Sequence, residues 1–299
     1  MNLGSKKFAY VSMGLLVVAW GFEYIAAKSA LTVVSPLPLV CIKYLLGCAV
    51  LLSIKLARDR RFPFSKRHLP LLIICSVTGE LLYYACEYGA MAYLPVSVIS
   101  IVLAFVPAVS IVLEKVLYHR RTGALLWLGI AASIVGVALV IGGGLSDFRG
   151  GAGIGYVLIF GAVFCWNAYN FLTQRLAKAY RPFDLTLYQT ICTALIALPF
   201  LLHDLPAAAA LAQPPVLWGL VYVGVVCESI GFLIYVNAVG KLGPTPCAMF
   251  STMLPVSTTF FGWLCLGERV LPLQLLGGAV VIVSGILVLR EKARLDGVQ

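Results

Sequence analysis

The chain has 299 residues, of which 61% are hydrophobic and 11% charged, with a formal net charge of +10 and a mean hydropathy of +0.99. Soluble proteins average about 45–50% apolar and about 25% charged residues, and this composition would cover a water-facing surface with large apolar patches. The soluble enzyme classes are therefore excluded, and the expected solvent is a lipid bilayer.

A spanning helix needs about 20 mostly apolar residues. Ten such windows follow along the chain, at 8–27, 36–57, 69–93, 96–117, 123–142, 152–173, 183–202, 215–239, 244–266 and 272–289. Charged or Pro/Gly-rich breaks divide them. The first is longer than the apolar core of a signal peptide. Windows this long and this rich in Leu and Ala are not barrel strands, which run to about ten alternating residues. No stretch remains for an extramembrane domain. The expected fold is an all-α polytopic membrane protein of ten transmembrane helices.

Orientation is read from Lys and Arg. With the N-terminus cytoplasmic, 18 of them fall inside and three (Lys28, Arg149, Arg269) outside, leaving Lys43 within a span. This asymmetry predicts a multi-pass protein of the cytoplasmic membrane with both termini inside. It also accounts for the positive charge without nucleic acid, because the excess cations face anionic lipid. The nine cysteines lie in apolar windows with no CxxC pair, and read as small hydrophobes. No metal-ligand cluster, Walker loop or dinucleotide fingerprint is present, so neither metal nor cofactor is expected.

The two halves of the chain match in order. Trp20 falls on Trp166 and Pro36 on Pro182, both displaced by 146 residues. Glu80 falls on Glu228, Pro107 on Pro255 and Gly129 on Gly277, all displaced by 148. Five helices per half is an odd number, so the second copy enters the membrane upside down. The expected organisation is a first five-helix repeat over residues 1–145 and a second, inverted one over 146–299, joined by the glycine-rich stretch Gly142 to Gly155.

With "AWGFEYIAAK" at 19–28, "FVPAVSIVLEKVL" at 105–117, "MLPVSTTFFGWLCLGERV" at 253–270 and a glycine-bearing last helix, nearly the whole chain resembles the drug/metabolite transporter superfamily, EamA type. The proline followed by "LGER" is the most specific part. The first half departs from it, since Arg120 stands where Glu268 stands in the second. The resemblance implies alternating-access transport of small metabolites, commonly export, through a central cavity between the halves.

Ionisable residues at membrane depth are costly and point to function. Glu23, Glu80, Glu87, Glu228 and Lys43 lie within the windows. Glu80 and Glu228 are repeat-related and near the midplane, where transporters of this architecture bind substrate. Glu87 follows Glu80 by seven residues, predicting one shared helix face with Tyr83 and Tyr84 between them. Glu23, Lys43 and Glu87 read as an outer group of ion-pair or proton sites. Trp20 and Tyr24 flank Glu23; Trp166, Asn167, Tyr169 and Asn170 are their counterparts, and Lys43 maps onto Gln189. Pro107 and Pro255 each remove a helix hydrogen bond and read as kinks.

Carboxylates among aromatic faces suit an organic ammonium. The expected substrate is a small amine-bearing metabolite (amino acid, polyamine or quaternary ammonium compound), bound by Glu80, Glu228, Tyr83, Tyr84, Trp20, Tyr24, Trp166, Asn170 and Gln189. A proton exchanging for it on the same carboxylates would couple transport. An anionic or neutral metabolite held by Lys43 is the alternative, and a membrane scaffold or enzyme a remote one. The expected partners are the substrate, a proton and the bilayer, with the chain acting as a monomer or homodimer. The topology has a direct check. In a cysteine-free background, Lys28→Cys should react with a membrane-impermeant maleimide in intact cells, and Lys178→Cys only after permeabilisation. The opposite pattern would reverse the orientation.

Overall fold

The computed structural model describes residues 6–118, 123–143, 151–242, 250 and 252–297. Ten helices carry the fold. They are α1 (Lys6–Ala30), α2 (Pro36–Arg58), α3 (Lys66–Ala90), α4 in two pieces (Val96–Leu103 and Val106–Tyr118) and α5 (Ala124–Gly143). Then come α6 (Ala152–Leu176), α7 (Pro182–His203), α8 (Pro214–Val221, continuing through Tyr222–Gly231 to Phe232–Leu242), α9 (Leu254–Leu266) and α10 (Pro272–Gly297). Nine are long and apolar enough to cross a membrane, and α9 is a shorter apolar helix. The chain is an all-α polytopic membrane protein, with no strand among the described residues. Residues 243–249 and 251 of the ninth window, Arg120, Arg149 and residues 144–150 of the glycine-rich join lie outside the described residues.

Proline sets several helix starts. The first residue of α2, α7, α8 and α10 is a proline, where the missing N–H costs nothing and φ is already helical. Pro107 and Pro255 likewise sit in the first turn of a helical piece, after an interruption at 104–105 and a turn at 252–253. Each therefore stands at a break.

The helices pair in a pattern. The main contacts are α5 with α10, α2 with α7 and α8, α1 with α8 and α9, α6 with α3 and α4, α3 with α7, and α4 with α9. Moving every helix five places along exchanges α1–α8 with α6–α3 and α1–α9 with α6–α4. The pairs α2–α7, α4–α9 and α5–α10 map onto themselves.

Small residues make the α5–α10 contact. A Cβ on Gly136 would lie 2.8 Å from the Gly277 carbonyl oxygen, and one on Gly277 would lie 2.5 Å from that of Gly136. The hydroxyls of Ser133 and Ser284 bond across the same seam at 2.7 Å. Between helices in lipid, such close approach and interhelical hydrogen bonding replace the hydrophobic drive. On the α2–α7 seam, a buried ion pair at 2.6 Å joins Lys55 to Asp184.

Gly267 ends α9 at φ +65°, a left-handed turn that suits glycine. The turn brings the Glu268 carboxylate to the start of α4. There it accepts the Val96 N–H at 2.9 Å, the Ser97 N–H at 3.2 Å and the Ser97 hydroxyl at 2.7 Å. A helix N-terminus offers unpaired donors and partial positive charge, so an anion belongs there. Lys28, near the end of α1, approaches the same carboxylate at 3.5 Å. The glutamate of "LGER" thus latches α1, α4 and α9 together at one end of the bundle.

Two helices change winding inside the membrane. Ser76–Leu82 of α3 and Tyr222–Gly231 of α8 are π-helical. The Tyr83 N–H bonds to the Thr78 carbonyl and the Phe232 N–H to the Cys227 carbonyl, each five residues back. Such wide turns are rare and gather at functional sites. Glu80 lies in the first and Glu228 in the second. An extra residue in a turn rotates the rest of the helix by about 100°, so Glu80 and Glu87 do not share a face as their spacing in an ideal helix predicts.

Gly136→Leu should wedge α5 from α10 and cost about 1–3 kcal/mol, read as a lower melting midpoint of the detergent-solubilised protein. Ser133→Ala should cost less, on the order of 0.6 kcal/mol. An unchanged midpoint for Gly136→Leu would contradict the seam.

Candidate substrate cavity

Between the helices lies a cavity of about 1130 Å³ including its mouth. Its upper wall carries Trp20, Glu23 and Tyr24 from α1, and Tyr83, Tyr84 and Glu87 from α3. The cavity runs to Ile111 on α4, Gln174 on α6 and Leu289 on α10. The latch between Lys28 and Glu268 sits at the other end, about one and a half turns beyond Glu23.

Aromatic rings form the waist. Trp20 and Trp166, the repeat mates from α1 and α6, meet edge to face with centroids 6.4 Å apart. Tyr83 lies 4.8 Å from Trp166. Tyr235 of α8 lies 5.4 Å from Trp20 and 5.7 Å from Trp166. Its hydroxyl donates to Asn170 Oδ1 at 3.1 Å, which orients the amide at the wall. Ring faces present negative charge and ring edges positive charge, so this waist offers both to a ligand.

The two cavity glutamates are held differently. Glu23 accepts from Lys43 Nζ at 2.5 Å and from the Tyr88 hydroxyl at 3.2 Å. Lys43 is 0% exposed, and its ammonium stands 3.3 Å over the Tyr84 ring. Charge and cation–π attraction both hold that lysine. Glu87 stands apart from this pair. Its Oε1 accepts the Tyr24 hydroxyl at 2.7 Å and the Tyr83 hydroxyl at 2.8 Å. Among the described residues no cation lies within 4 Å of Glu87. Two neutral donors orient this carboxylate.

Glu80, Glu228 and Gln189 do not line the cavity. They lie behind its wall, at 1%, 0% and 1% exposure. Glu80 Oε2 accepts the Thr193 hydroxyl, and Glu228 Oε1 lies 3.0 Å from the Thr190 hydroxyl. Gln189 Nε2 donates to Thr173 at 3.1 Å. The cavity thus gathers Trp20, Tyr24, Tyr83, Tyr84, Trp166 and Asn170 around Glu23 and Glu87, and leaves the repeat-related carboxylates on α7. Pro107 borders the cavity and Pro255 does not.

Sequence reasoning does not find Tyr235, Ser100, Gln174 or Thr252, which also line the cavity. Nor does it find the α7 threonines that hold Glu80 and Glu228. A signal is present for the threonines. Thr190 and Thr193 are three apart on a helix and share one face, the one turned toward α3 and α8.

The sequence matches the EamA-like transporter family over residues 7–142 and again over 153–290. An uncharacterised transporter of Bacillus subtilis is 21% identical over 92% of this chain and 95% of its own. A probable amino-acid metabolite efflux pump of Salmonella typhimurium is 26% identical over 98% of this chain and 100% of its own. A probable terminal-alkyne amino-acid exporter of Streptantibioticus cattleyicolor is 25% identical over 75% and 74%. One protein of known crystal structure shares the fold with a TM-score of 0.69 at 16% identity, over 95% of this chain and 98% of that one. Matched by the family twice and over nearly its full length, the chain belongs to the EamA-like transporter family and is a membrane transporter, not an enzyme.

Proposed function

We propose that this protein is a secondary transporter of a small amine-bearing metabolite, an amino acid, polyamine or quaternary ammonium compound. It works by alternating access between two inverted five-helix halves, residues 1–145 and 146–299, in the cytoplasmic membrane with both termini inside. Transport is coupled to proton exchange, and a single chain, alone or as one half of a homodimer, encloses the path. The observation that carries the substrate class is Glu87, a buried carboxylate on the cavity wall with two tyrosine donors and, among the described residues, no cation within 4 Å. An ammonium at that wall gains a full opposite charge in low dielectric, and the rings of Tyr83 and Trp166 lie within reach for cation–π contact. Two of the relatives are named for amino acids or their metabolites, which carry such a group. The interchange of helix pairs under a five-helix shift and the two family matches support the repeat.

The anionic alternative relies on Lys43. Its ammonium is buried, paired to Glu23 and covered by Tyr84, and among the described residues the cavity lining includes no Lys or Arg. A phosphate or carboxylate would need several such donors. Lys43 instead fixes α2 against α1 and α3.

Purified protein should be stabilised by members of an amine panel (tryptophan, spermidine, choline) in a thermal-shift assay, by about 2.7 kcal/mol at a hundredfold excess over Kd. Phosphate esters should have no effect. Glu87→Gln removes a buried charge partner, and should weaken binding of the stabilising amine by about 2 kcal/mol, on the order of 30-fold. Stabilisation by phosphate esters alone, or equal amine binding in Glu87→Gln, would overturn the reading. Lys43→Met should cost about 3–5 kcal/mol of stability by leaving Glu23 charged and unpaired. Pairing it with Glu23→Gln should recover most of that loss in the same melting assay.

A further inference from the structure

Behind the cavity wall, Glu80 and Glu228 occupy a second polar site. They come from the π-helical stretches of α3 and α8 and converge on one face of α7, at Thr193 and Thr190. Both are fully buried, and among the described residues neither has a cation within 4 Å. The Lys43 ammonium, the nearby cation that acts on both, is engaged by Glu23 at 2.5 Å.

The hydrogen count at this site is short. The Thr190 hydroxyl has one hydrogen and two acceptors, the Thr186 carbonyl at 2.8 Å and Glu228 Oε1 at 3.0 Å. A threonine in a helix gives its hydrogen readily to the carbonyl four residues back, and the 3.0 Å contact then needs a hydrogen from Glu228. The other oxygen, Oε2, is buried without a partner. The Tyr44 hydroxyl of α2 faces Glu228 as a loose donor, and neither it nor Oε2 has a partner at full hydrogen-bond geometry. A buried acceptor left unmatched is costly, and two facing carboxylates cannot both stay ionised out of water.

We propose that Glu80 and Glu228 form a proton-carrying pair, separate from the substrate cavity, that keeps at least one hydrogen between them. This rests on the transporter reading only for its role: the pair would be where the coupling proton resides. The other titratable groups facing the pair are Tyr169 of α6, Cys75 of α3, Cys192 of α7 and Cys227 of α8, with Glu23 of α1 beyond Lys43. None supplies a positive charge, and Lys43 is already paired with Glu23, so proton uptake is the means of neutralisation within the site. Its location matters mechanically. A carboxyl that gains or loses a hydrogen changes its bonds to α7, and both carboxyls sit on turns whose backbone bonding is already irregular.

The probe is the proton itself. Infrared spectra of the purified protein at neutral pH should show a protonated-carboxyl band that shifts in deuterium oxide. The Glu80→Gln Glu228→Gln double variant should lose at least half of that band while Glu87→Gln keeps it. A wild-type spectrum without the band, or a double variant that retains it in full, overturns the proposal. A band removed only by titrating in sodium would also overturn it, assigning the site to a metal cation. Should the double variant fail to purify as a monodisperse species, the single variants replace it, each expected to change the band's intensity or frequency. No substrate enters this measurement. Its failure leaves the amine assignment intact, and failure of the Glu87 experiment leaves the proton pair intact.

Discussion

A charge packed between helices at membrane depth must be answered largely by the chain itself, because hydrocarbon offers it no partner. Four buried glutamates impose that constraint here, and their partners decide which helices meet. Glu23 draws Lys43 across from α2, and that lysine in turn lies on the Tyr84 ring of α3. Glu87 binds α3 to α1 through Tyr24. Glu80 and Glu228 bring α3 and α8 to the threonines of α7. These contacts are directional, unlike packing against lipid, so they set helix rotation as well as proximity. At the far end a fifth glutamate, Glu268, does the same for α1, α4 and α9 by meeting a helix N-terminus.

The constraint also separates the carboxylates by task. One is neutralised by a lysine and is structural. One is oriented by neutral hydroxyls at a cavity wall, with no cation within 4 Å among the described residues. Two lie behind the wall, one from α3 and one from α8, and meet hydroxyls of a third helix, α7. The same residue type thus stands in three different donor environments, which is what separates the chemistry of one carboxylate from another. The aromatic waist, where Trp20 and Trp166 meet, divides the cavity floor from the latch end. The rings there come from α1, α3, α6 and α8, and three of these helices, α1, α3 and α8, also carry all four glutamates.

Much of the fold is legible in the sequence because lipid leaves few options. Span number, helix class and the order of repeat-related residues follow from hydropathy and from where proline and glycine fall. Trp20 and Trp166 are mates by spacing alone, and they touch. The site is legible in composition but not in facing. Placing Glu80 on the cavity with Glu87 assumes an uninterrupted α-helix, and the π-helical stretch at Ser76–Leu82 breaks that assumption. No local pattern in "SVTGELL" announces the wider turn. Within it, Gly79 admits the Tyr169 ring against the α3 backbone, a contact made by a residue far away in sequence. Glu268 stands in a recognisable motif without disclosing its role, because a capping carboxylate from a distant loop leaves no trace at the helix it caps.

The latch gives the two ends of the bundle different chemistry. At the Lys28 end, closure depends on an acceptor: a carboxylate that satisfies N–H groups opening α4 and attracts a lysine from α1. In the first half the matching sequence position is Arg120. A guanidinium has five donors and no acceptor, so it cannot cap a helix N-terminus. The three hydrogen bonds that Glu268 accepts at the start of α4 therefore have no counterpart that an arginine side chain could supply. The latch joins α1 and α4, and both helices are walls of the cavity, so this end of the bundle and the cavity share two of their elements.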